Sequence, residues 1–152
     1  MNWKLVTAGL TLAIGAGFVA TAHAQAQAEA MVKQRQAVMT LQAKYIGPLG
    51  AMAQGKIPFN AELAARNASY LNVLDKMAWD GFDASTKGIK SRALPAIWDN
   101  AAGFKAEQEK LQSAVADLVA ATKTGDEAKV KAAVGAVGKI CGTCHENFRE
   151  KQ

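Results

Sequence analysis

The chain has little from which to build a disulfide-rich scaffold, a metal cluster or a β-sheet. Its 152 residues include two cysteines, two histidines and three prolines. The cysteines fall together, at Cys141 and Cys144, so a disulfide between them would clip adjacent turns of one helix and constrain little. Pro48, Pro58 and Pro95 all lie where helical patterning breaks, and no run of alternating β-branched residues marks a strand. The basic residues are scattered, with none of the basic runs interleaved with aromatics that nucleic-acid binding requires. No paired carboxylates stand out, and two histidines leave little room for a catalytic triad.

What is present begins with MNWKLVTAGLTLAIGAGFVATAHA. One lysine, Lys4, precedes an apolar run from Leu5 to about Ala20, closed by Ala22-His23-Ala24. Charge, apolar stretch and small-x-small site in that order predict a secretory signal peptide over residues 1–24, cleaved after Ala24. The rival is a membrane anchor, for which the run falls short of the ~20 residues of a span. The mature chain is then 25–152, one domain in size. Lys4 and His23 leave with the signal, so 17 basic residues face 13 acidic ones, a net of +4, and His145 becomes the sole histidine. That mild excess predicts a solvated surface, or one that meets an acidic redox partner.

The mature body reads as helix throughout. A first helix runs from about Gln27 to Ile46 and is predicted to stop at Gly47-Pro48. Asn60 can cap a second helix, NAELAARNASYLNVLDKMAW, with Glu62 in its first turn to suit the dipole. Asp80 to Leu94 is glycine-containing and aperiodic, a long loop. Pro95 is placed to open a third helix reaching about Thr124, Gly125 to end it and Asp126 to cap a fourth. The third helix carries Trp98, Ala101, Phe104, Leu111, Val115, Leu118 and Thr122 on one seam. The fourth carries Val130, Val134, Val137, Cys141, Cys144 and Phe148, stepping by threes and fours. The expected fold is all-α, an antiparallel four-helix bundle with helices crossing at roughly 20°.

The stretch ICGTCHENFREK, residues 140–151, holds both cysteines and His145. Two thiols on one helix face can each add to a vinyl group of one haem, and the imidazole beside them reaches the iron; C-x-x-C-H is the attachment signature of a c-type haem. Other readings answer the residues less fully. A redox-active C-x-x-C is expected near a βαβ pattern, which is missing. A structural zinc site normally takes four Cys or His ligands, and the mature chain offers three. A disulfide suits an exported protein but leaves His145 unexplained. Haem c, one per chain, near the C-terminal helix, is therefore the expected cofactor.

With the bundle first and the haem motif last, the mature chain resembles the class II cytochromes c, the cytochrome c prime family. The residues that carry the resemblance are Arg35-Gln36 and Met39 in the first helix, Trp79 and Phe82 after the second, Pro95-Ala96-Ile97-Trp98 and Phe104 in the third, and Cys141-Gly-Thr-Cys144-His145 with Phe148-Arg149 at the end. The resemblance implies a five-coordinate iron with His145 as axial ligand and Met39 over the empty face. It implies Arg35 at a haem propionate, with Gln36 and Arg92 as further propionate candidates, and Arg149 against the proximal imidazole. Trp79, Phe82 and Phe104 become pocket walls, and Trp98 stays in the core. Met39 alternatively fills core space, or ligates the iron as in low-spin His/Met relatives; Met31, Met52 and Met77 are the other candidate methionines.

The ligation decides the function. An open position admits diatomic gases, nitric oxide and carbon monoxide, whereas a His/Met iron is coordinatively full and serves electron transfer alone. Two functions follow, gas capture and single-electron exchange with exported redox partners; an enzyme is not expected, because the one mature histidine is committed to iron. Location in a bacterial periplasm follows from export with a c-type haem. A homodimer through the first two helices is implied by the resemblance; Leu41, Tyr45, Tyr70 and Leu74 are candidates for that contact, or else face their own core.

Overall fold

The structure, a computed structural model, describes residues 7–151, with side chains described from residue 21. Five α-helices form: α1 (Thr7–Ala53), α2 (Ala61–Met77), α3 (Ala96–Asp99), α4 (Ala101–Lys123) and α5 (Glu127–Phe148). The four long helices close a ring in which α1 packs on α2, α2 on α4, α4 on α5 and α5 on α1. This is the four-helix bundle, with α3 a single turn at the head of α4. The predicted signal segment lies partly outside the described residues; its described backbone continues into α1, and the first buried side chain described is Ala28. Among the described residues no helix is long and apolar enough to cross a membrane.

The caps fall where short polar side chains meet orphan amides. Asn60 accepts from the Leu63 amide at 2.8 Å and opens α2, and Asp126 accepts from the Lys129 amide at 3.1 Å and opens α5. Gly125, with φ of +68°, turns the chain between α4 and α5, a conformation that costs glycine nothing.

Two helix boundaries differ from the sequence expectation. Pro48 lies inside α1, which continues to Ala53. Leu49 and Met52, just beyond the proline, are 1% and 2% exposed and belong to the main core, so packing overrides the local breaker. Asn67 of α2 also donates to the Tyr45 carbonyl at 3.1 Å, three residues before Pro48, tying the interrupted stretch to its neighbour. The true stop is Gly55 at φ +69°, where the Gly55 amide donates to Met52 O and the Lys56 amide to Ala51 O, the paired bonds of a Schellman end. The second difference is at Asn100. The expected continuous third helix breaks there, because the Asn100 side chain turns to accept from the Gly103 amide at 3.1 Å and starts α4 anew.

The core joins Leu49, Ala64, Ala68, Leu71, Leu111, Val115, Leu118, Val130, Val134 and Val137. On the third-helix seam Ala101 proves exposed, since it stands at the restart of α4. The loop from Asp80 to Leu94 holds two 3₁₀ turns, Trp79–Phe82 and Ala84–Thr86, both packed on α1. Its end is zipped to the C-terminus: the Leu94 amide donates to Phe148 O at 3.0 Å and the Glu150 amide to Arg92 O at 2.9 Å. Trp98, half-buried, braces the loop by donating through Nε1 to the Phe82 carbonyl at 3.1 Å.

Candidate functional site

A cavity of ≈ 410 Å³ opens between the helices, within the size range of cofactor sites. Every residue the resemblance places at the haem lines it. Arg35, Gln36 and Met39 come from α1, Trp79 and Phe82 from the first 3₁₀ turn, Arg92 from the loop, Phe104 from α4, Cys141, Cys144 and His145 from α5, and Arg149 from just beyond it. Met31, Met52 and Met77 do not line it. Met52 is buried in the core with its sulfur facing the Asn60 amide, and Met77 is 44% exposed.

The cavity is walled by rings in edge contact. Phe82 and Phe104 lie 4.9 Å apart, Phe104 and Phe148 5.2 Å, and Trp79 and Phe104 5.8 Å. Such tilted pairs fix one another's rotamers and hold a rigid apolar wall. Phe148 completes this wall; its place on the α5 seam showed in the sequence, its cavity contact did not.

Cys141, Cys144 and His145 sit on one face of α5, and all three are half-buried. Burial raises the Cys141 thiol, and pushes the Cys144 thiol up to about 11, helped by Glu107 and Cys141 against the pull of Arg149. Both are therefore protonated at neutral pH, unlike the lowered thiol of a redox-active C-x-x-C. Among the described residues no cluster of His, Cys, Asp and Glu is arranged to hold a bare metal ion. Burial lowers the His145 pKa below that of free histidine, and the positive charges of Arg149 and Arg92 lower it further. The imidazole is thus held neutral, with a lone pair to offer a metal.

Arg35 is 3% exposed, and all its partners are neutral. Its guanidinium donates to the Gly81 carbonyl, to Thr86 Oγ1 at 3.2 Å and to Ser91 Oγ at 2.8 Å, and stacks over the Phe82 ring at 4.6 Å. A buried cation without an anion is costly, so an anionic group in the cavity would relieve it. Trp79 Nε1 is likewise buried and without an acceptor among the described residues. A largely apolar cavity, an unpaired guanidinium, a free indole donor and two thiols beside a neutral imidazole fit a haem, with its apolar ring, carboxylate arms, vinyl groups and iron. Arg92 donates through Nη2 to the Glu150 carbonyl at 2.7 Å, so part of its donor set serves the loop–terminus zipper. Gln36 is exposed and stands at the cavity edge.

Sequence reasoning missed Asp75. It lines the cavity, is 1% exposed, and neither carboxylate oxygen finds a partner among the described residues. Burial pushes its carboxyl up to about 6, against the weaker pull of the adjacent Lys76 charge and amide. The signal was available: on the α2 stripe Ala64, Ala68, Leu71, Asp75, Ala78, a charge occupies an apolar register.

Comparison with known proteins accords with this geometry. A family model described as cytochrome c' matches residues 30–149. The curated cytochrome c' of Rubrivivax gelatinosus is 47% identical over 121 residues, 79% of this chain and 94% of its own. The crystal structure of cytochrome c' from that organism aligns with a TM-score of 0.76 at 45% identity, again over 79% of this chain and 94% of that one. A ferrous, nitric-oxide-bound variant of cytochrome c prime from Alcaligenes xylosoxidans aligns with a TM-score of 0.77 at 35% identity, over 82% and 97% of the two chains.

Proposed function

The chain belongs to the cytochrome c' family and carries covalent haem c, and from that premise we propose that it is a periplasmic haem protein whose iron keeps one position open for nitric oxide or carbon monoxide. In this reading Cys141 and Cys144 form the two thioether links, and His145 is the axial ligand. Arg35 meets a propionate, where a guanidinium pairs well with a carboxylate. Arg149 lies against the proximal imidazole, and Trp79, Phe82 and Phe104 enclose the ring.

The observation that carries the open position is Met39. It lines the cavity and packs against the buried cluster of Val38, Leu74 and Ala78, as a roof of apolar contacts. Haem bound there supplies the electron-accepting and gas-binding chemistry; the chain's own residues decide what can approach it. Met39 must swing aside for a diatomic gas to enter, so its bulk sets the entry rate. Nitric oxide and carbon monoxide bind reduced haem without a hydrogen bond from the pocket, and the mature chain has no second histidine to favour dioxygen. The nitric oxide bound to the Alcaligenes relative supports the gas reading. Single-electron exchange with exported partners uses the same haem.

Leu41 and Tyr70 are exposed on α1 and α2, and Tyr45 stacks on Tyr70 at 4.9 Å. These three form the face for a homodimer in this reading. Leu74, also expected there, is buried in its own bundle.

The test is the rate at which the reduced protein takes up carbon monoxide, in wild type and in Met39→Ala. A roof over an open iron predicts uptake at least tenfold faster in the variant, with the spectrum before gas unchanged in spin state. A wild-type protein that takes up gas only as fast as a Met–iron bond breaks, and a variant whose spectrum changes from low to high spin, would overturn it.

A further inference from the structure

Both oxygens of Asp75 and Nε1 of Trp79 are buried and unpartnered among the described residues; Asp75 stands in the last turn of α2 and Trp79 opens the 3₁₀ turn that follows it, four residues on. With Leu71 a turn earlier, they make one stripe of the cavity wall. A carboxyl that is 1% exposed, lines the cavity and meets no side-chain partner among the described residues faces whatever fills the cavity. Nothing in gas capture or axial ligation uses it.

We propose that Asp75 is a redox-linked proton site: it stands as a carboxylate in the oxidised protein and takes up one proton when the haem is reduced. The inference rests on the haem reading above. One electron arrives from an external one-electron donor and is held by the iron. One proton arrives from solvent and forms an O–H bond on Asp75; no bond breaks. The driving force is the sign of the charge in the cavity. Ferric haem carries one more positive charge than ferrous haem, and that charge favours the ionised carboxyl. Reduction removes it, and burial then favours the neutral acid. The carboxyl already sits near about 6 from burial, close enough to neutrality for a change of one charge to move it across the working range.

The other charged groups around Asp75 do not substitute for that switch. On α2 its neighbour Lys76 is exposed. From α1 the cavity receives Arg35, already engaged with Gly81, Thr86 and Ser91. α4 brings only Phe104, Leu111 and Val115 to the wall. The one charged residue of the first 3₁₀ turn, Asp80, is exposed. From the far wall come His145, Arg92 and Arg149, held together at the C-terminal end of α5.

The experiment is a potentiometric titration of the holoprotein from about pH 4 to about pH 8, in wild type and Asp75→Asn, each first checked for haem by its spectrum and denatured mass. One proton per electron makes the wild-type potential fall with pH at a slope approaching ~59 mV per unit between the two pKa values of Asp75. Asp75→Asn is expected to flatten that slope. A reduced-minus-oxidised infrared difference spectrum of the wild type is expected to show a carboxylic-acid C=O band that moves in heavy water, and this decides the matter even if the variant folds poorly. An unchanged slope in Asp75→Asn, a flat wild-type potential, or no such band overturns the inference while leaving the haem reading intact. A protein without covalent haem overturns both.

Discussion

The guanidinium of Arg35 donates to the carbonyl of Gly81, 46 residues further along the chain, while the Arg35 Cβ occupies the space a side chain at position 81 would need. One residue on α1 thus sets both the grip on the loop and the closeness of the approach. That closeness brings the first 3₁₀ turn, with Trp79 and Phe82, against α1 at the cavity wall.

Gly81→Ala should loosen this clamp. An added Cβ would lie 2.5 Å from Arg35 Cβ and 2.8 Å from the Met31 carbonyl oxygen, and neither can retreat without moving α1. Overpacking of this kind costs ~1–3 kcal/mol, read as a lower urea midpoint with unchanged m-value.

Arg35→Lys should not rescue Arg35→Met. The arginine fork serves Gly81, Thr86 and Ser91 at once, a geometry an ammonium cannot copy. Both variants should lose on the order of 3 kcal/mol, since each leaves buried acceptors without their donor. Urea unfolding of the two side by side checks it; a lysine variant as stable as wild type would show that charge alone matters.

Asp75 should make stability fall as pH rises from mildly acidic values. Its folded pKa, about 6, stands above the ordinary 3.8, so the native state holds the extra proton in that window. The contribution is fully present below the lower value and is lost as pH rises through about 6, by roughly 3 kcal/mol. Asp83 and Asp126 work in the opposite direction, lowered by hydrogen bonds from Ser85 and Lys129 respectively. The measurement is therefore the difference between wild type and Asp75→Asn, both kept reduced, in thermal unfolding at about pH 4 and about pH 7. A difference that does not change with pH would contradict it.

Replacing both Cys141 and Cys144 by serine should leave a bundle that no longer holds haem after denaturation. The single variants should each keep one thioether. Mass measurement of the denatured proteins distinguishes these: the wild type and single variants weigh one haem more than their chains, the double variant does not.

Much of this architecture was readable in the chain because caps are local. Asn60, Gly125 and Asp126 satisfy orphan helix groups within a few residues, so their chemistry is visible at short range. The same local logic misplaced the end of α1: Gly47-Pro48 is a breaker by propensity, but the burial of Leu49 and Met52 is a long-range fact. The break at Asn100 was legible in principle, since asparagine three residues before glycine is a capping pattern, yet it lay within an apolar seam that read as continuous. In the site, the motif C-x-x-C-H and the aromatic residues announced themselves by type. The partners of Arg35 could not, because Gly81, Thr86 and Ser91 come from a loop without periodicity. Asp75 was passed over, although a charge in the apolar register of α2 marks it, because its burial is set by tertiary packing.

The most direct test of the open haem site is the visible absorption spectrum of the dithionite-reduced holoprotein, recorded before and after nitric oxide. A broad high-spin Soret band that shifts when the gas is added is the predicted result. Sharp low-spin α and β bands before any gas, with a methionine-to-iron charge-transfer band in the oxidised protein, would contradict it and make Met39 a ligand of an electron carrier.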